Sequence, residues 1–347
     1  MNSEEQIFEK LKYILGDVIV SALCDPSVIE VMVNADGKVF KDTFEGIKEI
    51  GTLDSSAVKT VIFTVANMAD TLVNRENPDL SGEIPFKINE NVALLRFQGM
   101  IPPVVSKPIF SIRKPASRVF TLDEYLEQGI ITAIQKEFIK DSVQRHRNIL
   151  IVGGTGSGKT TFLNAVLSEI KGQFPKERIG IIEDTYELQC EAENKYQLRT
   201  SETRDMDALL KDCMRLRPDR IIVGEVRGKE ANSLLKAWNT GHPGGLGTVH
   251  ANGALSGLRR MEQLIQEANL TPIPEIIADA LNVVIYITKS KKNKAGRIVE
   301  EILEVNGYDK QAQSYITTRI FDSEANYEFV AADKIYEVLE FGKEGWA

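Results

Sequence analysis

Lys159 and Thr160 close the run Gly153-Gly154-Thr155-Gly156-Ser157-Gly158-Lys159-Thr160, which has the form G-x-x-x-x-G-K-[ST]. The chemistry this spacing suits is phosphate binding. Glycines let successive backbone N–H groups turn inward around a β-phosphate, and the N-terminus of a following helix adds its positive dipole end. Lys159 has the reach for the β- and γ-phosphates, and the Thr160 hydroxyl is a ligand for Mg²⁺, with Thr161 continuing the cradle. The apolar run NILIV (148–152) stands before the loop and a helix-forming run after it, the order in which the motif works. A nucleoside triphosphate with Mg²⁺ is the predicted ligand.

Binding a triphosphate is not yet hydrolysing it. Hydrolysis needs one acid near the metal or its waters and another to orient and deprotonate the attacking water. Two apolar runs end in acids: Ile181-Ile182-Glu183-Asp184-Thr185-Tyr186-Glu187, and Ile221-Ile222-Val223-Gly224-Glu225. In a parallel sheet both ends fall on the carboxyl edge, beside the phosphate loop, where open α/β sheets bind ligands. Glu225, preceded by glycine, is the candidate for the metal. His250, in Gly247-Thr248-Val249-His250, also ends a short apolar run and is a candidate to hydrogen-bond the γ-phosphate. A metal-ligand role for it is not expected, because His146 and His242 have no matching Cys or His spacing.

Such side chains need a scaffold. Strands are predicted at 148–152, 179–183, 220–224, around Thr248-Val249 and at 283–288. Helices follow the loop, begin near Asp205, and cover 230–238, 255–267 and 273–281. Buried strands alternating with helices predict a parallel sheet wrapped by helices. Residues 298–330 read as a hairpin appendix, and KSKKNKAGR (289–297) as a solvated turn. Upstream, Ile7, Leu11 and Ile14/Leu15 predict an amphipathic helix over 1–14. A hairpin turn is expected at Asn34-Ala35-Asp36-Gly37, and a helix capped by Asp54 or Ser55 runs to about Met68. The stretch 84–112 is β-rich, and Lys114-Pro115-Ala116-Ser117 reads as a linker. The expected division is an N-terminal α+β domain over 1–114, a linker over 115–125, and an α/β domain over 126–347.

Composition narrows the function classes. The chain has 347 residues, 43% hydrophobic and 27% charged, an ordinary globular mix that argues against disorder or coiled coil. Forty-two basic against fifty acidic side chains give a net charge of -8, which speaks against a DNA-coating protein. No stable direct nucleic-acid binding is expected. No apolar run has the length of a membrane helix, and the acidic N-terminus reads as neither signal nor transit peptide. Cys24, Cys190 and Cys213 are scattered, so neither a disulfide framework nor a structural zinc site is expected. The chain reads as cytosolic.

Four segments together carry a resemblance: GGTGSGKTT (153–161), IEDTYEL (182–188), RLRPDRIIVGEVRGKEA (215–231) and TGHPGGLGTVHAN (240–252). In order they resemble the Walker A, Asp box, Walker B and His box of the secretion "traffic" ATPases. RFQGMIPPVVSKPIFSIRKPA (96–116) and LKAWNTGHPGG (235–245) resemble the conjugal-transfer branch, the TrbB-like ATPases of type IV secretion systems. The resemblance implies a small PAS-like α+β domain, then a RecA-like P-loop ATPase domain, with nucleotide between them and six chains in a ring. It matches Glu187 to the Asp-box glutamate that polarises water, with Glu183 its neighbour. It also matches Glu225 to the Walker B glutamate, His250 to the His-box histidine, and Arg96 and Arg113 to first-domain arginines that approach phosphates. Gly247 departs from the pattern, since alanine is commoner there, and is expected to loosen the strand before His250.

The implied function is ATP hydrolysis, with Mg²⁺, to power a conjugative or type IV secretion apparatus that transfers DNA or protein. Its partners would be inner-membrane secretion or conjugation proteins. The protein would sit at the inner membrane peripherally, through weak, salt-sensitive association. A pilus-retraction or type II secretion motor is the near alternative. A RecA-like DNA motor and a nucleotide-gated scaffold without turnover stand further off.

Overall fold

Leu11, Leu15, Ile19 and Leu23 recur at helical spacing and are all buried, so helix α1 (Ser3–Cys24) runs well beyond residue 14. Gly16, at φ +74°, kinks it midway. The computed structural model describes residues 3–43, 46–88, 91–115, 118–201 and 203–320. The Ile7 side chain, Ala116 and Ser117 of the expected linker, and residues 321–347 lie outside the described residues.

The chain divides into two units between Arg118 and Val119. In the first, β1 (Val28–Val33), β2 (Lys38–Thr43) and β3 (Gly46–Thr52) precede α2 (Ser55–Met68). Then come β4 (Asp79–Ile88), β5 (Asn91–Met100) and β6 (Ile109–Arg113). They form one antiparallel sheet in the order β3-β2-β1-β6-β5-β4. The β1–β2 turn lies at the expected Asn34–Gly37, with Gly37 at φ +85° and Asp36 Oδ1 accepting from Lys38 N at 3.0 Å. Asp54 caps α2 by accepting from Ser56 N at 2.8 Å. Both helices pack on the sheet over a core that includes Val31, Ile62, Phe97 and Phe110.

The second unit opens with α3 (Leu122–Glu127) and α4 (Ala133–Gln144), each started by a capping box, Thr121 with Glu124 and Thr132 with Gln135. Next are β7 (Ile149–Val152), α5 (Lys159–Gln173), β8 (Ile179–Glu183), β9 (Lys195–Arg199) and α6 (Met206–Arg215). β10 (Arg220–Val223), α7 (Glu230–Asn239), β11 (Leu246–Val249), α8 (Ala254–Glu267) and α9 (Pro274–Ala280) follow. The last are β12 (Val283–Lys289), β13 (Arg297–Asp309) and β14 (Ser314–Arg319).

The eight strands lie in the order β14-β13-β12-β7-β11-β10-β8-β9. From β12 to β9 all neighbours are parallel. Every residue of β7, β8, β10 and β11 is buried, which is why these strands read as unbroken apolar runs. Alternate residues serve opposite faces. Ile149 and Ile151 join Phe138 and Phe162 on one side, while Leu150 and Val152 join Leu234 and Leu258 on the other. A parallel sheet with a phosphate loop after β7 and helices on both faces is the RecA-like P-loop arrangement. Within the expected hairpin appendix, β13 and β14 pair antiparallel and extend this sheet. β13 pairs with β12 and buries Val299, Ile302, Leu303 and Val305, so its apolar positions complete the core. Among the described residues no helix is long and apolar enough to cross a membrane.

Candidate nucleotide site at the carboxyl edge

The loop between β7 and α5 takes its shape from two glycines in the left-handed region, Gly156 at φ +70° and Gly158 at φ +97°. Gly158 starts α5 with no side-chain cap, so the helix N-terminus stays open for an anion. Ser157 Oγ is buried in the loop with no hydrogen-bond partner. Lys159 is buried although cationic, and its Nζ donates to Gly153 O at 3.0 Å and Gly154 O at 3.2 Å. The glycine cradle and the cation held beneath it fit a phosphate ligand.

A polar chain runs from Lys159 across the strand ends in sheet order. Lys159 Nζ lies 3.3 Å from both ring nitrogens of His250, at the end of β11. His250 Nε2 lies 2.8 Å from Glu225 Oε1, at the end of β10. Arg227 pairs with Glu225 Oε2 and, at 2.9 Å, with Asp184 Oδ2 at the end of β8. Thr200, past β9, donates to Asp184 Oδ1 at 3.1 Å. Burial holds His250 below the ordinary histidine range, helped by the Lys159 ammonium and opposed by Glu225. The lowered pKa favours the neutral ring, the form that suits contact with the Lys159 ammonium.

The two glutamates of the Asp-box segment differ in placement. Glu183 is buried, and its Oε1 accepts from Glu187 N at 3.0 Å and Leu188 N at 2.8 Å. It shapes the turn that carries Glu187, whose side chain is half-buried at the edge. A Cβ on Gly224 would lie 3.0 Å from Glu183 Cγ, so the glycine before Glu225 makes room for this buried acid. Asn164 of α5 holds the same turn, accepting from Gln189 N at 2.9 Å. Glu230 fixes the loop after Glu225 by accepting from Gly228 N at 2.8 Å. Beneath β11, a Cβ on Gly247 would stand 3.3 Å from the Trp238 ring, while Trp238 Nε1 donates to Ile221 O at 3.2 Å. The glycine therefore leaves room for the indole beneath the strand.

The type II/IV secretion system protein family model matches residues 15–345. The chain belongs to this family. It is 45% identical over 309 residues to a probable conjugal transfer protein TrbB of Sinorhizobium fredii, covering 89% of this chain and 92% of that one. It is 31% identical over 293 residues to the type IV secretion system protein VirB11 of Bartonella henselae, covering 72% of this chain and 80% of that one. Among solved structures, the pilus retraction motor PilT with bound ADP aligns with a TM-score of 0.58 at 17% identity, over 96% of this chain and 88% of that one. That likeness is one of fold.

Within this secretion-family chain, the structure brings Lys159, His250 and Glu225 into contact and places Glu183 and Glu187 on the adjoining turn. Thr160 and Thr161 are half-buried in the first turn of α5. Arg96 and Arg113 belong to the first unit, where they are register partners on β5 and β6. Sequence reasoning missed Asn164, Arg227 and Glu230. Asn164 carried a signal: it is the one amide in the buried run Phe162–Leu167, where a polar side chain needs a fixed partner.

Proposed function

We propose that this secretion-family chain hydrolyses ATP with Mg²⁺ to drive a conjugative or type IV secretion apparatus. The observation that carries the reading is the polar chain Lys159–His250–Glu225–Arg227–Asp184, built from the ends of neighbouring strands beside a glycine cradle. Residues 153–161 bind the triphosphate, and Lys159 neutralises charge on its β- and γ-phosphates. Thr160 and Glu225 hold Mg²⁺, which supplies Lewis-acid stabilisation of phosphoryl oxygens. Glu187 orients the attacking water and takes its proton, while Glu183 keeps the Glu187 turn in place. His250 donates to the γ-phosphate and relays its presence to Glu225. Arg96 and Arg113 enter the proposal as a cationic pair of the first unit.

The machinery we assign to it is a homo-hexameric ring, partnered by inner-membrane secretion or conjugation proteins, in the cytoplasm and weakly peripheral at the membrane; the conjugal transfer and type IV secretion relatives support the secretion setting. Phosphate release at saturating ATP, with and without Mg²⁺ and with and without single-stranded DNA, tests the chemistry. Turnover that requires Mg²⁺ and ignores DNA is expected. No turnover in any condition would favour a scaffold, and DNA-dependent turnover a DNA motor. Light scattering should find six chains with ATP and Mg²⁺; a monomer would count against the ring.

A further inference from the structure

Two cations outside the phosphate motif stand against its loop. Lys289 ends β12, Arg297 begins β13, and the two are register partners across the hairpin. A Cβ on Gly156 would lie 3.2 Å from Lys289 Nζ, and one on Gly158 would overlap the Arg297 guanidinium. The two left-handed glycines of the loop are thus also the places where these side chains rest.

The hairpin holds the pair in position. Asn293 Nδ2 donates to Gly129 O at 2.8 Å and to Arg297 O at 2.7 Å, and Val299 N donates to Ile130 O at 2.8 Å. Between the pair, Lys291, Lys292 and Lys294 are exposed. The basic run that read as a solvated turn is therefore two kinds of residue. Its ends face the phosphate loop, and its middle faces solvent.

Strand order sets the side of the loop that the pair occupies. β12 and β11 lie on opposite sides of β7. His250 and Glu225 are on the β11 side, which the proposed function gives to the γ-phosphate. The β12 side is left for the α- and β-phosphates.

We propose that Lys289 and Arg297 form a cationic clamp for the diphosphate portion of the nucleotide, supplied by the chain's own β12–β13 hairpin. The clamp rests on the nucleotide-binding reading above and extends it to the product, a nucleoside diphosphate. Because it grips phosphates present in substrate, transition state and product alike, it governs affinity and leaves the chemical step alone.

The test is calorimetric titration with ADP and Mg²⁺, paired with steady-state hydrolysis. Lys289→Ala and Arg297→Gln should each weaken ADP binding about tenfold or more, the usual worth of a hydrogen bond to a charged group. KM for ATP should rise in step while kcat stays within about twofold, and the double variant should show a shallower salt dependence of ADP binding. Lys291→Ala with Lys292→Ala and Lys294→Ala should leave ADP affinity unchanged. Lys289 is exposed, so its variant tests the idea even if Arg297→Gln folds poorly. ADP affinity within about twofold of wild type in Lys289→Ala would overturn the clamp, as would a fall in kcat at constant KM. A wild type that binds neither ADP nor ATP would overturn the nucleotide reading itself, and the clamp with it.

Discussion

Asn164 Oδ1 accepts from Gln189 N at 2.9 Å, and this bond ties the helix that begins at Lys159 to the turn that carries Glu187. The phosphate loop and the candidate base are therefore held by one buried amide. Asn164→Ala should lower unfolding free energy by about 1–3 kcal/mol in urea titration. It should also reduce ATP turnover more than ADP affinity. Stability and turnover both equal to wild type would show that the tie carries no load.

Glu187→Gln and Glu225→Gln should keep nucleotide binding and lose turnover by about 10²-fold or more, since an amide neither takes the proton nor holds the metal as a carboxylate does. Glu183→Gln separates positioning from catalysis. Its remaining amide oxygen can still accept from Glu187 N and Leu188 N, so turnover within about fivefold of wild type is expected. A loss of about 10²-fold there, with Glu187→Gln active, would move the base to Glu183.

Lys159→Ala removes the cation under the loop together with its bonds to Gly153 O and Gly154 O. Affinity for ATP and ADP should both fall by about tenfold or more, read by fluorescent-nucleotide displacement. Retained affinity for both would mean that the backbone cradle alone binds the phosphates.

The histidine gives a pH dependence with a definite sign. Burial lowers the His250 pKa from the ordinary 6.5 in the folded chain. As pH falls through the unfolded value, the unfolded chain takes up a proton that the folded one refuses, so stability is complete above it and declines below it. Thermal melts from about pH 7.5 to about pH 5.5 should show that decline, and His250→Gln should flatten it. An unchanged slope in the variant would remove His250 from the account.

Much of the site was legible because its residues end apolar runs. Lys159, Glu225 and His250 each follow a strand that is buried throughout, and such strands announce themselves. What no local pattern holds is neighbourhood. β7 lies beside β11, about a hundred residues later in the chain, and only that pairing sets His250 against Lys159. Arg227 read as one more charge of GEVRGKEA until β8 and β10 stood side by side. The hairpin at 289–297 misled for a related reason: composition counts charges, whereas cross-strand register decides where they point. β3 and β9 escaped notice because edge strands with half-exposed, charged residues lack the apolar signature. The capping boxes of α3 and α4 were present in the sequence as Thr121/Glu124 and Thr132/Gln135, and the linker reading passed over the first of them.

Trp238, wedged under Gly247 and bonded to Ile221 O, gives this protein a built-in optical probe. Its indole touches the two strands that end in Glu225 and His250, so any shift of either strand changes the polarity and hydrogen bonding around the fluorophore. The sequence has two tryptophans, the second at Trp346. A Trp346→Phe background would therefore give an emission signal from these two strands alone, and stopped-flow mixing with nucleotide would time their movements without an attached dye.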